Sequence, residues 1–281
     1  MSSLTLPKTK AAPVRRSSLA RTLSSPFWLR IAFLTAVVVL LEIYGRLFAD
    51  PAFMRPPTAI VQALFDTILS DAKILEALWL CVIQIAAAYA LAVVVGCVVG
   101  LLVGSTGFSR VAFFPIVLLL FAIPQVALLP LVILSFGLGP AAKIAFGFSH
   151  GVFPIIMNVV AGMRDVKELN LRAAQSMGAS KRDTLRYVIL PHMTPSLFTG
   201  LRLGMTMTLL GVILAELYVS TGGVGYFTRV FAESYNPAPL FALIGCLAII
   251  AVIFNELVRI AENRLTPGKR RAPTIKTPGK A

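Results

Sequence analysis

Long apolar runs alternate with short polar segments along most of this chain. A helix needs about 20 mostly apolar residues to cross a bilayer. Six runs meet that length, at roughly residues 28 to 48, 80 to 104, 112 to 137, 141 to 162, 197 to 218 and 239 to 260. The second and third runs are long enough to tilt, and the third can break where Pro124 and Pro130 remove backbone donors. The pattern predicts an all-α membrane protein with about six transmembrane helices.

The composition agrees with a membrane location. The 281 residues are 57% hydrophobic and 14% charged, with a mean hydropathy of +0.84. A single soluble core cannot bury that much apolar surface, and six spans leave no room for a soluble catalytic domain. The first run is long for the apolar core of a signal peptide, and the sequence LFADP after it is a poor cleavage site. We therefore interpret this run as an uncleaved membrane anchor.

The basic residues are unevenly distributed. The net charge is +14, and 20 of the 26 Lys and Arg residues lie in residues 1–30, at Arg110, in residues 164–192 and in residues 259–281. An even number of spans places all four groups on one face, which the positive-inside rule identifies as cytoplasmic. The opposite loops then hold only Arg55, Lys73, Lys143 and Arg229. This distribution is typical of a protein whose partner is a lipid bilayer. It does not indicate a nucleic-acid-binding protein.

These positions divide the chain into three parts. We predict a disordered basic cytoplasmic tail at 1–26, a transmembrane domain at 27–262 and a second basic cytoplasmic tail at 263–281. Both termini are then cytoplasmic, in a multi-pass protein of the bacterial inner membrane.

The residues that usually carry catalysis are few. Cys81, Cys97 and Cys246 lie within predicted spans without a Cys-x-x-Cys pair, so we interpret them as packed apolar residues. His150 and His192 lie 42 residues apart, outside any H-E-x-x-H motif. The chain has no Gly-x-Ser-x-Gly sequence and no phosphate-binding loop. We predict no catalytic residue, no metal site and no bound cofactor, so any ATP must bind to another subunit.

The basic segment 164–192 has the local signals of a helix, a turn and a second helix. Residues 166–177 are compatible with a helix, and Gly178 suits the left-handed position that ends one. Ser180 precedes Asp183 by three residues, which is the spacing of a capping box that opens another helix. This segment is therefore predicted to fold as a cytoplasmic helix-turn-helix.

The second short helix is predicted to run through Ile189 and to stop at Pro191. Ala173 and Ala174 give the first helix a small-residue face, on which the backbone of another protein can approach closely. This face favours a docking surface for a partner. The alternative is a pair of amphipathic helices that lie on the membrane surface, and the local signals do not separate the two interpretations.

The same segment resembles the EAA loop of permeases from binding-protein-dependent ABC importers. Arg172-Ala173-Ala174 precedes Gly178 at the family spacing, and Ile189-Leu190-Pro191 matches the end of the pattern. Other matches extend along most of the chain, at Met54–Thr58, Ala122–Pro124, Ala127–Pro130, Phe136-Gly137, Gly200–Arg202, Ala215-Glu216 and Gly223–Tyr226. Together they resemble the sulfonate, nitrate and taurine branch of this family.

The resemblance implies the transmembrane domain of an ABC type I importer. Its partners would be a cytoplasmic ATP-binding subunit, a periplasmic or lipid-anchored solute-binding protein and a second copy of the permease. The solute would be a small anion such as an alkanesulfonate, taurine or nitrate; a thiamine-precursor pyrimidine is the alternative. Coupling to the ATPase would fall to Arg172, Ala173, Ala174, Gly178, Leu190 and Pro191.

One position departs from the family pattern. Arg172 stands where the family has Glu, so any salt bridge made by that Glu is lost. Either the ATPase subunit carries a compensating acid or this contact is dispensable.

Polar residues within the spans are candidates for the solute pathway, because polar groups in lipid are costly unless they are paired or face a cavity. Gln125 is the strongest, because it follows Pro124, where a broken helix frees backbone groups. We also predict Ser149, His150, Asn158 and Glu216 along the pathway; Gln84, Asn255 and Glu256 are further polar residues within spans. For each, a hydrogen bond between helices is the alternative role.

Two other classes of protein fit the composition. A secondary transporter would need no ATP, but such folds often show internal repeats and ion-coupling charges. We find no repeat, and Glu216 is the only plausible coupling acid well within a span, because Glu42 and Glu256 lie near helix ends. A membrane-embedded enzyme would need a nucleophile, a base and an orienting group, which do not recur at useful spacing.

Overall fold

The computed structural model describes residues 26–219 and 222–265, and every element in these residues is helical. Most of both predicted tails lies outside the described residues. We number the α-helices in chain order: α1 Pro26–Leu47, α2 Pro57–Ala63, α3 Ala72–Gly104, α4 Gly107–Ala122, α5 Leu129–Phe136, α6 Pro140–Arg164, α7 Glu168–Ser176, α8 Lys181–Asp183, α9 Leu190–Val219, α10 Val224–Glu233 and α11 Pro237–Leu265. π-Helical segments follow α2 at Leu64–Ile68 and α8 at Thr184–Ile189, and a 3₁₀ turn at Gln125–Leu128 precedes α5.

The described residues contain five helices long and apolar enough to cross a membrane, and a sixth crossing if the bent pair 107–122 and 125–136 forms one span. The packing of α3 on α6 supports the sixth crossing. Gly96 lies against Ile155 and Gly104 against Met163, so the two helices run in parallel. The chain between them must therefore return from one end of the bundle to the other, as the six-span prediction requires.

The third span is broken rather than straight. Helix α4 ends at Ala122, and the next segment turns by 79°. Pro124 lies in the break with an extended backbone, which confirms the predicted effect of this proline. Pro130 does not break the chain, because it occupies the first turn of α5, where a helix tolerates a missing N–H.

The centre of the bundle is α6, which packs between α3 and α9. A stripe of glycines on α3 faces α6, and a Cβ atom on Gly100 would lie 2.7 Å from the Val159 side chain. On the other side, a Cβ atom on Gly151 would lie 2.9 Å from the Gly204 carbonyl of α9. Small residues at these positions let the helix backbones approach closely, as is common in membrane interfaces.

Helix α9 does not begin after a stop at Pro191, so that prediction was wrong. The chain from Lys181 to Tyr218 is one helical stretch of 38 residues. Its π-helical segment ends at Ile189, directly before the proline. The wider π turn explains the continuity, because it shifts the carbonyl groups with which the Pro191 ring would clash in a regular α-helix.

The two ends of the bundle differ in the residues that they carry. The loop end carries residues 164–192, and the ion-pair end carries Lys143 and Glu216, which are paired. Arg202 of α9 contacts Glu262 of α11 toward the loop end. Because Arg202 lies in the first half of α9 and Glu262 near the end of α11, this pairing shows that the two helices run antiparallel.

Candidate functional site

At the loop end, the first short helix, the turn and the start of the second helical segment have the predicted geometry. Gly178 adopts a φ of +78°, the left-handed conformation that ends α7. The Asp183 N–H donates to Ser180 Oγ at 3.2 Å, and the Ser180 N–H donates to Asp183 Oδ2 at 3.3 Å. Both halves of the capping box are therefore present, and the second helical segment begins where the sequence predicted.

The side chains of this loop form a groove of about 460 Å³. Ala174 is buried beneath the groove while Ala173 is exposed at its edge. Met177 and Tyr187 flank it with 81% and 68% of their surfaces exposed. Of the residues predicted for coupling, Ala173, Ala174 and Pro191 line the groove; Arg172, Gly178 and Leu190 do not.

The charge of Arg172 has a partner within its own helix. Its Nη2 atom lies 2.6 Å from Glu168 Oε1, one turn earlier in α7. The two side chains are 71% and 75% exposed. The positive charge of Arg172 is thus compensated within α7 itself.

Three of the predicted pathway residues meet beside the break in the third span. Ser149 Oγ lies 3.5 Å from Gln125 Oε1 and 3.4 Å from His150 Nδ1. His150 Nδ1 also lies 2.9 Å from the Phe146 carbonyl. The cluster therefore joins the 3₁₀ turn to α6, with Gln125 and Ser149 partly exposed and His150 buried.

The other two predicted residues lie elsewhere. Asn158 donates to the Pro154 carbonyl at 2.8 Å and lies toward the loop end, where a Cβ atom on Gly200 would touch it. Glu216 lies at the ion-pair end, in a buried salt bridge with Lys143. The structure therefore does not bring all five residues into one site.

The salt bridge corrects the placement of Lys143, which the sequence put in an outer loop. Lys143 lies in the first turn of α6, and its Nζ atom is 2.8 Å from Glu216 Oε1. The side chains are 7% and 3% exposed. The sequence held a signal for this pair. Lys143 lies at the start of the fourth span and Glu216 at the end of the fifth, so a six-span topology places both at the same end of the bundle.

Glu216 also holds the segment that follows α9. The Gly225 N–H donates to Glu216 Oε2 at 3.2 Å. A Cβ atom on Gly223, which adopts a φ of +100°, would lie 2.9 Å from the same oxygen. One carboxylate thus connects α6, α9 and the start of α10, and glycines at 223 and 225 permit this close approach.

A cavity of about 490 Å³ lies directly above this ion pair. Its floor includes Gln84, Lys143 and Glu216, all buried, and its rim includes exposed Lys73 and Glu76. Within the described parts of the chain, Gln84 Oε1 has no hydrogen-bond partner. No group of three His, Cys, Asp or Glu residues in the same ranges could hold a metal ion.

The comparisons with known proteins agree with one another. Residues 92–267 match the family described as the binding-protein-dependent transport system inner membrane component. The taurine transport system permease protein TauC of Escherichia coli (strain K12) is 33% identical over 78% of this chain and 81% of its own.

Two further relatives cover most of the chain. The formylaminopyrimidine transport permease protein ThiX of Halalkalibacterium halodurans is 27% identical over 85% of this chain and 95% of its own length. The putative aliphatic sulfonates transport permease protein SsuC of Bacillus subtilis (strain 168) is 26% identical over 92% of this chain and 94% of its own.

Among solved structures, a chain of the inward-facing MetNI methionine ABC transporter matches with a TM-score of 0.56. The match covers 71% of this chain and 97% of that one, at 21% sequence identity. This likeness places the helical bundle in the fold of an ABC importer transmembrane domain.

Proposed function

This chain belongs to the family of binding-protein-dependent transport system inner membrane components, and we propose that it forms half of the solute pathway of an ATP-driven importer for a small anion. It is a permease subunit of the ABC importer class. The family match over residues 92–267, which includes the whole 164–192 loop, is the observation that carries the proposal. The anion would be an alkanesulfonate, taurine or nitrate.

The ATPase subunit would dock at the loop end. The groove there combines small and apolar residues, Ala173, Met177 and Tyr187, on a segment that also carries six basic residues. Exposed apolar side chains beside a charged segment are typical of a protein-binding surface. ATP would bind to that subunit, and closure around it would move the 164–192 loop.

The loop end would face the cytoplasm, and the ion-pair end would receive the binding protein. The basic residues of the loop support this orientation through the positive-inside rule. A reporter fused after residue 170 should be active on the cytoplasmic side and one fused near residue 60 on the periplasmic side. A periplasmic signal at residue 170 would contradict the orientation.

The pathway would lie between two copies of this chain. Gln125 and Ser149 support this arrangement, since their polar groups lie beside a broken span and are partly exposed on the single chain. Such groups are costly against lipid, and a water-filled pathway between subunits would solvate them.

Uptake into proteoliposomes tests the proposed function. The permease would be reconstituted with its ATPase subunit and binding protein, and uptake of labelled taurine, ethanesulfonate and nitrate measured. We expect uptake of at least one of them to require both ATP and the binding protein, and a hydrolysis-deficient ATPase to abolish it. Uptake driven by an ion gradient without the ATPase would instead identify a secondary transporter. ATP-dependent uptake of a formylaminopyrimidine alone would assign the solute class of ThiX.

A further inference from the structure

We propose that an apolar groove on the outside of the bundle holds an acyl chain of an anionic phospholipid, with the lipid headgroup at the loop end. The groove lies between α3, α9 and α11. This inference goes beyond solute transport, and it does not depend on which solute the importer carries.

The walls of the groove are almost entirely apolar. Its volume is about 400 Å³, and Tyr89 of α3, Phe198 and Met205 of α9 and Leu257 of α11 are among the residues that line it. The Tyr89 hydroxyl is the one polar side-chain group among the described lining residues, and it donates to the Leu201 carbonyl at 3.1 Å. The lining therefore leaves no free polar side chain for a polar ligand, whereas a hydrocarbon chain needs none.

The length of the groove suits an acyl chain. The lining residues lie within 86–93 of α3, 198–205 of α9 and 254–261 of α11. Seven residue steps at 1.5 Å each make walls about 10 Å long. The hydrocarbon of one leaflet is about 15 Å thick, half of a bilayer core. The groove can therefore enclose much of one chain along the bundle.

The last turns of α11 place the mouth of the groove at the depth of the lipid headgroups. The lining residues at 254, 257, 258 and 261 recur at helical spacing, while Glu256, Arg259 and Glu262 of the same turns do not line the groove. A helix with one apolar and one charged face is typical of the boundary between acyl chains and headgroups. A chain in the groove would thus have its phosphate beside the end of α11.

Arg264 supplies a positive charge at this mouth. The two acids in the last turns of α11 are each paired with an arginine. Arg264 is exposed, and within the described ranges it forms no salt bridge. It follows Leu257 by seven residues, so it lies on the groove side of α11, and the basic residues 269–271 come soon after it in the sequence. This charge favours an anionic headgroup over a zwitterionic one.

The groove lies on a different side of the bundle from the surface proposed for the second copy. Gly147 and Gly151 of α6 face α9. Ser149 is two residues from each, a little over half a helical turn, so it lies on the side of α6 opposite α9. A second copy that meets Ser149 and Gln125 would therefore leave the groove beside α9 open to lipid.

Native mass spectrometry tests the proposal. The full chain would be purified in detergent, in the oligomeric form in which it leaves the membrane. It would then be titrated with phosphatidylglycerol or with phosphatidylcholine of the same acyl chains. An apolar groove gains little over bulk lipid from the chain itself, so the headgroup decides the selectivity. We expect phosphatidylglycerol to bind about fivefold more tightly. Equal affinities would overturn the anionic specificity, and no retained lipid of either kind would overturn the site.

Two bulky substitutions on α11 locate the acyl chain. Leu257 is 55% exposed and lines the groove, so Leu257→Trp should fold, fill the groove and remove one retained lipid per chain. Ile260 is the matched control, because it is 45% exposed at the same depth but does not line the groove. Ile260→Trp should retain lipid as wild type does. Unchanged retention in Leu257→Trp, or an equal loss in the control, would overturn the assignment. Dissociation of an oligomer in Leu257→Trp alone would assign the groove to a second copy instead.

Two further variants remove the same charge at different places. Arg264→Gln should lower the affinity for phosphatidylglycerol to that for phosphatidylcholine, without a change in phosphatidylcholine binding. Arg259 is paired with Glu256 and does not line the groove, so Arg259→Gln should keep most of the preference. Equal effects of the two variants would show that net charge alone sets the preference, and would overturn the position of the headgroup beside Arg264.

Discussion

The two ends of this bundle each carry an ion pair between a basic side chain and a glutamate, in opposite surroundings. At the ion-pair end, Lys143 and Glu216 lie 2.8 Å apart with side chains 7% and 3% exposed. At the loop end, Arg172 and Glu168 lie 2.6 Å apart with side chains 71% and 75% exposed. The distances are nearly equal, so burial decides how much each pair contributes.

Burial makes the partners of the inner pair depend on each other. Removal of one partner leaves a charge that neither water nor a counter-ion compensates, whereas replacement of both by apolar residues is often tolerated. The two side chains of the outer pair can separate and hydrogen-bond to water at little cost in free energy. The inner pair therefore fixes one arrangement of α6, α9 and α10, while the outer pair leaves the loop surface free to meet a partner.

The largest effect is expected at the buried pair. Glu216→Leu leaves the Lys143 ammonium buried without its carboxylate, and breaking a buried pair in this way costs about 3–5 kcal/mol. The purified variant should therefore unfold in detergent at a markedly lower temperature than wild type, as measured by circular dichroism.

The control for this prediction is the double variant Lys143→Met with Glu216→Leu. It removes both charges and should recover most of the lost stability, because no uncompensated ion remains. If the double variant is as unstable as the single one, the hydrogen bond from Gly225, rather than the ion pair, holds this end together.

A smaller effect is expected at the turn of the loop. Gly178→Val forces a β-branched residue into a left-handed conformation, at a cost of about 1–2 kcal/mol. Within the described ranges no atom lies near enough to clash with a Cβ here, so the cost comes from the backbone. We expect the variant to insert into the membrane but to lose co-purification with the ATPase and ATP-driven uptake.

The matched variant Gly178→Asn distinguishes the effect of backbone strain from the effect of side-chain size. Asparagine adopts the left-handed conformation more readily than valine, so it should retain most of the assembly. Normal uptake by Gly178→Val would show that the geometry of this turn is not used in coupling.

The smallest effect on stability is expected at Arg172. Arg172→Glu replaces an attractive pair with Glu168 by a repulsive one, and the two effects together lower helix stability by about 0.4–1 kcal/mol. The temperature at which the purified permease unfolds should therefore stay near that of wild type. Co-purification with the ATPase should weaken if an acid of that subunit faces Arg172, and a Lys or Arg at that acid should restore it. Wild-type co-purification of Arg172→Glu would exclude Arg172 from the interface.

The sequence predicted the elements that depend on local signals. The apolar runs located the spans, Pro124 located the break, and Gly178 with Ser180 and Asp183 located the turn and the helix after it. Each depends on a few adjacent residues, whose backbone preferences can be read without knowledge of the rest of the fold.

The sequence did not predict contacts between distant residues. Lys143 and Glu216 are 73 positions apart, and only the packing of α6 on α9 brings them together. The stop at Pro191 also failed, because a π-helical segment let the helix continue past the proline. Both errors have one cause. A pattern of adjacent residues does not show how a neighbouring helix packs or whether the preceding turn is α-helical or π-helical.

The continuity of the helix past Pro191 has a mechanical consequence. Residues 181–218 form one continuous helical stretch of 38 residues, at most about 57 Å long at 1.5 Å per residue. Its first turns belong to the loop, and Glu216 lies in its last turn. If this stretch moves as a rigid body, a swing of about 5° around its midpoint displaces each tip by up to about 2.5 Å. That travel is close to the 2.8 Å between Lys143 and Glu216, so a small push at one tip is large enough to separate the ions at the other.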